Sequence, residues 1–102
     1  MSEFLTVWRF KVADEDADGL VEVQAKSIAE TKRLFPEMLS AELANLGDGT
    51  WLHLVRWSAQ DSLERWSERL LANPDEAALV GGMHAYFSDE VMIGHGEIAT
   101  SK

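Results

Sequence analysis

The chain has 102 residues, near the commonest size of one folded unit, so a single domain over residues 1–102 is expected. Hydrophobic residues make up 46% and charged residues 26%, which excludes a disordered composition. The formal charge of −9 opposes binding to phosphate backbones or anionic lipid, so neither nucleic acid nor a membrane is expected as a partner. The lack of cysteine removes disulfides, thiolate catalysis and thiolate metal sites together. The opening MSEFLTVWRF has no basic region leading into a long apolar run, and no stretch approaches the roughly 20 apolar residues of a membrane span. A cytoplasmic chain without a secretory leader is the expectation.

Phe4–Val12 alternates as a strand, with Phe4, Thr6, Trp8, Phe10 and Val12 on one side and Leu5, Val7, Arg9 and Lys11 on the other. The acidic run DEDADG ends it, and Asp16 or Asp18 can cap a following helix by accepting first-turn N–H groups. That helix is predicted from Ala17 to Leu34. Leu20, Val23, Ser27, Ile28, Thr31 and Leu34 form one stripe, Glu22 and Lys26 pair on the opposite face, and Pro36 stops it. Gln24, Ser27 and Thr31 make the inward side more polar than a dry core wants. Glu37–Leu46 has the mixed pattern of an edge strand. GDGT, Gly47 to Thr50, reads as a tight turn, because Asp-Gly supplies positive φ angles.

The next strand, TWLHLVRW, sets Trp51, His53, Val55 and Trp57 against Leu52, Leu54 and Arg56, and neither side suits solvent. Ser58 and Asp61 read as a capping box opening a second helix with Leu63, Trp66, Ser67 and Leu70 on its inner stripe. Pro74, Asp75 and Glu76 suit the first turn of another helix. A kink or close backbone approach is expected at Gly81-Gly82. Glu90–Thr100 is the last predicted strand. The order strand, helix, strand, strand, split helix, strand is the ferredoxin-like βαββαβ arrangement of the α+β class, an antiparallel sheet with helices on one face. Apolar residues on both sides of the first and third strands require a cover for the bare face. The same sheet of a second copy would supply it, which predicts a homodimer through sheet faces.

DEDADG starts like a calcium loop, but Ala25 stands where the bidentate Glu belongs, and a solvated capping loop is expected. GHGEIA spells the dinucleotide fingerprint with too few residues after it for the required helix, so its glycines are read as leaving room beside an aromatic ring. His53, His84 and His95 fall on three elements without metal-ligand spacing. Trp51 reads as core, whereas Trp57 and Trp66 have polar neighbours. His53, on an aromatic strand face, is either a satisfied core or interface residue or a pocket base.

DGTWLHLVRWSAQDSLERW and PEMLSAEL resemble the antibiotic-biosynthesis-monooxygenase family of dimeric α/β barrels, and the likeness runs from Phe4 to Ala99. In the cofactor-free members that oxidise polycyclic anthrones, a Trp closing the third strand lines the pocket, which corresponds to Trp57. Those enzymes carry a pocket Asn where this chain has His53 and a pocket Tyr where it has Leu63. Their second-strand His falls near Ala44 or Asn45, and their later Arg has no counterpart. Haem-degrading relatives use a first-strand Asn, which matches Trp8, with a Trp and a His resembling Trp66 and His84.

The resemblance implies a cofactor-independent monooxygenase that uses O₂ directly on an aromatic polyketide or phenolic substrate. His53 is the expected base, with His84 or Tyr86 as alternatives. Trp8, Gln24, Trp57, Leu63, Trp66 and Tyr86 are the expected substrate contacts. Neither metal nor cofactor is expected. A non-catalytic dimeric module for a small hydrophobic ligand is the alternative, and a haem-binding or haem-degrading protein the third reading.

Overall fold

In the computed structural model, which describes residues 2–99, the elements are β1 (Phe4–Lys11), α1 (Ala17–Leu34), β2 (Met38–Asn45), β3 (Thr50–Trp57), α2 (Ser62–Ala72), α3 (Pro74–Val80) and β4 (Ser88–Glu97). Thr100, placed by the sequence in the last strand, lies outside the described residues. The four strands form one antiparallel sheet in the order β2-β3-β1-β4, which is the ferredoxin-like α+β topology expected.

Register fixes the faces. Phe4, Thr6, Trp8 and Phe10 of β1 pair with Trp57, Val55, His53 and Trp51 of β3, so all eight share the helix-covered side. Leu5, Val7 and Arg9 pair with Arg56, Leu54 and Leu52 on the other, outer side. The core divides into two clusters, one around Phe10, Leu20, Trp51 and Met83, the other around Phe35, Val55, Trp57 and Trp66. Trp51 is therefore core, as its place opposite Phe10 requires.

Two short 3₁₀ helices depart from the sequence expectation. Asp14–Asp16 is one, and it leaves Asp16 at the N-cap position of α1 in helical conformation, without the expected side-chain cap bond. Gly81–Tyr86 is the other: α3 ends at Val80 and the chain winds on more tightly through the two glycines. A Cβ on Gly82 would come within 3.2 Å of Val23, so the glycine allows close approach to α1. The turn before β3 forms as read, with Gly47 at φ 92° and Gly49 at φ 85°.

The capping box expected at Ser58 is not formed. The helix begins at Ser62, whose hydroxyl accepts from the Ala59 N–H and donates to Glu37. Glu37 also receives both terminal guanidinium nitrogens of Arg65, so the entry to β2 and the first turn of α2 are clamped together. Asp61 pairs with Arg65 at 3.1 Å as an exposed neighbour. Gly94 and Gly96, read as relieving an aromatic, instead lie opposite Val7 and Leu5 on the outer side, where an added Cβ would meet nothing.

Candidate functional site

A cavity of about 470 Å³ opens between the helix-covered side of the sheet and the helices. Six of the eight residues expected in the site line it: Trp8 from β1, His53 and Trp57 from β3, Leu63 and Trp66 from α2, and His84 from the 3₁₀ helix. They converge because β1 and β3 are paired in register and α2 lays its inner stripe over them. The Trp8 and His53 rings sit side by side, centroids 6.1 Å apart. Trp57 is fully buried, its ring meeting the edge of Phe35 at 6.3 Å, and Phe35 in turn stacks on Trp66 at 5.3 Å.

Gln24 and Tyr86 are not among the lining residues. The Gln24 amide donates to the Ala41 carbonyl at 3.2 Å, tying α1 to β2. Tyr86 packs in the other core cluster, its ring over Gly19. The hydroxyls that made α1 look wet are also committed to backbone. Ser27 donates to the Val80 carbonyl at 2.5 Å and Thr31 to the Ser27 carbonyl at 2.9 Å. The inner walls are thus mostly apolar, with Ser67 adding a hydroxyl from the exposed side of α2 and one buried group left without a partner.

That group is His53. Its Nε2 is buried and has no hydrogen-bond partner within the described residues. Burial pushes the ring's pKa down from 6.5 to about 4, because the charged form would lose its hydration with no counter-charge in return. At neutral pH the ring is neutral, and a polar atom without a partner at this depth costs about 1–3 kcal/mol.

The mouth has a different character. His84 is exposed, donates from Nδ1 to the Gly81 carbonyl at 3.1 Å, and places Nε2 3.8 Å from the Glu90 carboxylate. Phe87 lies 5.1 Å from the His84 ring, centroid to centroid. Neither Glu90 nor Phe87 was among the site residues expected from the sequence. Glu90 reaches the mouth through a local irregularity in the β1–β4 ladder, where Asp89 takes φ 58°, a left-handed conformation that Asp tolerates. Only the unusual Ser-Asp-Glu start of a strand could have pointed to it. His95, the third histidine, lies away from this cavity. Among the described residues no group of three or more His, Cys, Asp or Glu could hold a metal ion, and no helix is long and apolar enough to cross a membrane.

No family model matches the sequence, and no curated protein matches it either. Solved structures do match over nearly the whole chain. SnoaB, a cofactor-independent oxygenase from Streptomyces nogalater, is 22% identical with a TM-score of 0.65, covering 100% of this chain and 96% of its own. A Caulobacter crescentus protein provisionally named an antibiotic biosynthesis monooxygenase is 16% identical, with a TM-score of 0.67 and coverage of 99% and 92%. A nipsnap family protein of unknown function from Agrobacterium tumefaciens reaches a TM-score of 0.64 at 13% identity, covering 94% and 86%. The fold is that of the antibiotic-biosynthesis-monooxygenase structures. At these identities the likeness is one of fold, shared also by proteins of unknown function.

Proposed function

We propose that the protein is a cofactor-independent monooxygenase acting on a planar phenolic or anthrone-like compound in the cavity beside His53. The carrying observation is the buried, unpartnered Nε2 of His53 in a mostly apolar, aromatic chamber. A hydroxyl or acidic C–H on a bound aromatic would give that nitrogen its missing partner, while Trp8, Trp57 and Trp66 cover the rings. The fold of a cofactor-independent oxygenase supports the same reading.

In this reaction the neutral imidazole takes a proton from the substrate. A ring with a pKa of about 4 is a weak base alone, but the substrate anion forming against it favours the protonated ring and raises that value. Exclusion of water strengthens the pairing. The substrate anion is itself the reductant. It passes its electrons to O₂ and forms a hydroperoxide at the deprotonated carbon. Loss of water then converts the anthrone CH₂ to the quinone C=O, with one oxygen atom in the product and the other in water. His84, with Glu90 beside it, is the second candidate base.

The remaining components of the proposal are a single domain and a second copy of the chain. Leu5, Val7, Leu52 and Leu54 make a half-buried apolar patch on the outer side of the sheet, and Val91 of β4 is 48% exposed next to it. A self-complementary contact between two such faces would bury that patch.

Oxygen uptake with dithranol, a dihydroxyanthrone, tests the assignment. The expected result is uptake by wild type and loss of most of it in His53→Ala. Equal rates in the two proteins would overturn the catalytic role, and tight binding without uptake would leave a non-catalytic binding module. A Soret band on titration with haemin would favour the haem reading instead.

A further inference from the structure

A hydrogen-bonded chain outside the cavity ends on one of its walls. The Trp57 indole N–H donates to Thr6 Oγ1 at 2.9 Å, Thr6 Oγ1 lies 2.7 Å from His95 Nδ1, and His95 Nε2 lies 3.3 Å from the Gln60 carbonyl. Thr6 and Trp57 are 0% and 1% exposed, whereas His95 is exposed at the far end. Neither Thr6 nor His95 lines the cavity.

The chemistry of the groups fixes the direction of every proton. A carbonyl can only accept, so His95 Nε2 carries the hydrogen, and in a neutral ring Nδ1 is then bare. The Thr6 hydroxyl therefore donates to Nδ1 and accepts from the Trp57 indole. The arrangement is complete with one donor per bond, and it requires the neutral ring. A protonated His95 would present a second donor to Thr6 Oγ1 and leave the buried hydroxyl proton without an acceptor.

We propose that His95 is a positioning residue for the cavity: acting through Thr6, it fixes the orientation of the Trp57 ring against which an aromatic ligand lies. The hydroxyl at position 6 is what links them, since every other inward side chain of β1 is aromatic. Thr6 sits at the crossing of three strands, paired with Val55 on one side and His95 on the other. Phe35 and the surrounding core pack the faces of the indole, and the Thr6 hydroxyl is the hydrogen-bond partner that fixes its polar edge. Gln60, whose carbonyl anchors the chain, lies in the turn between β3 and α2, so the tether also joins that turn to β4. The groups that face His95 across its clefts are Asp61 from that turn, Glu64 from α2 and Glu97 from β4, while β1 contributes no titrating side chain there.

The inference rests on the cavity being the ligand site, and the experiment separates the two. In ligand-free protein, the Trp57 indole N–H resonance is identified by its loss in Trp57→Phe and followed in His95→Leu and His95→Asn. The Asn side-chain oxygen stands near the place of Nδ1 and can still accept from Thr6. The expected result is a displaced resonance in His95→Leu and a near wild-type one in His95→Asn. Anaerobic titration with dithranol should weaken about three- to tenfold in His95→Leu and recover in His95→Asn. An unmoved indole resonance in folded His95→Leu overturns the tether. A moved resonance with unchanged dithranol affinity overturns the positioning role. If wild type binds no dithranol, the proposed function fails, and the resonance comparison still decides whether His95 holds Trp57.

Discussion

The Ser27 hydroxyl donates to the Val80 carbonyl over 2.5 Å, joining the middle of α1 to the last residue of α3. The bond falls where the helix gives way to the Gly81-Gly82 segment, so it ties α1 to the roof of the cavity at that junction. Ser27→Ala should lower unfolding free energy by about 1–2 kcal/mol in urea denaturation, because a helix-end carbonyl loses its partner. It should also loosen Met83 and His84, seen as faster amide exchange from residue 81 onward. Unchanged exchange there would show that the glycines need no such anchor.

Stability should depend on pH through His53. Its folded pKa of about 4 lies below the ordinary 6.5, so the folded state binds fewer protons than the unfolded one between those values. The stability is fully present above pH 6.5 and is lost as pH falls toward 4. The loss amounts to about 3 kcal/mol at most. His53→Leu should flatten the profile between about pH 6.5 and about pH 4.5, above the range where carboxylates dominate. A wild-type profile already flat in that window would contradict the burial argument.

Gly19→Ala sets two effects against each other. Alanine favours a helix over glycine by up to about 1 kcal/mol in an interior, and by less in the first turn, where Gly19 sits. The new Cβ, however, would sit 2.5 Å from the Tyr86 ring, so the ring must move. The clash is expected to win, giving a variant less stable than wild type by thermal unfolding, with displaced Tyr86 ring resonances. A gain in Tm would show that the ring relocates at little cost.

Leu54→Glu tests the second copy. Leu54 points to the outer side, paired with Val7, and a charge there cannot be buried against another sheet. Light scattering should report two chains for wild type and one for the variant at micromolar concentration. A monomeric wild type would overturn the sheet-face contact.

Much of the frame was legible in the sequence because local signals bounded it. TWLHLVRW alternates cleanly between an Asp-Gly turn and a helix, and β3 spans those eight residues. α1 is bracketed by DEDADG and Pro36, and its limits agree as well. The start of α2 was misread, because Ser58 and Asp61 have the spacing of a cap while the deciding bond runs from Ser62 to Glu37, far back in the chain. Gln24 and Tyr86 were placed in the site by helical spacing, which cannot reveal that the Ala41 carbonyl and Gly19 claim them. The Thr6–Trp57–His95 chain joins three strands and leaves no periodic trace. Its single visible sign was a hydroxyl among aromatics on β1. Gly94 and Gly96 were misjudged for a similar reason, since the face they occupy follows from register, which composition does not carry.

One strand serves as the cavity's floor and as the sheet's outer skin. Along β3, His53, Val55 and Trp57 meet whatever occupies the chamber, and Leu52 and Leu54 meet whatever lies beneath. The two sets share one backbone, spaced a single residue apart. Inserting or deleting one residue in this strand would therefore exchange the two surfaces wholesale, sending histidine and tryptophan outward and leucines into the chamber. Redesign of the chamber must consequently proceed by side-chain replacement at alternate positions, and length variation has to be confined to the loops at either end.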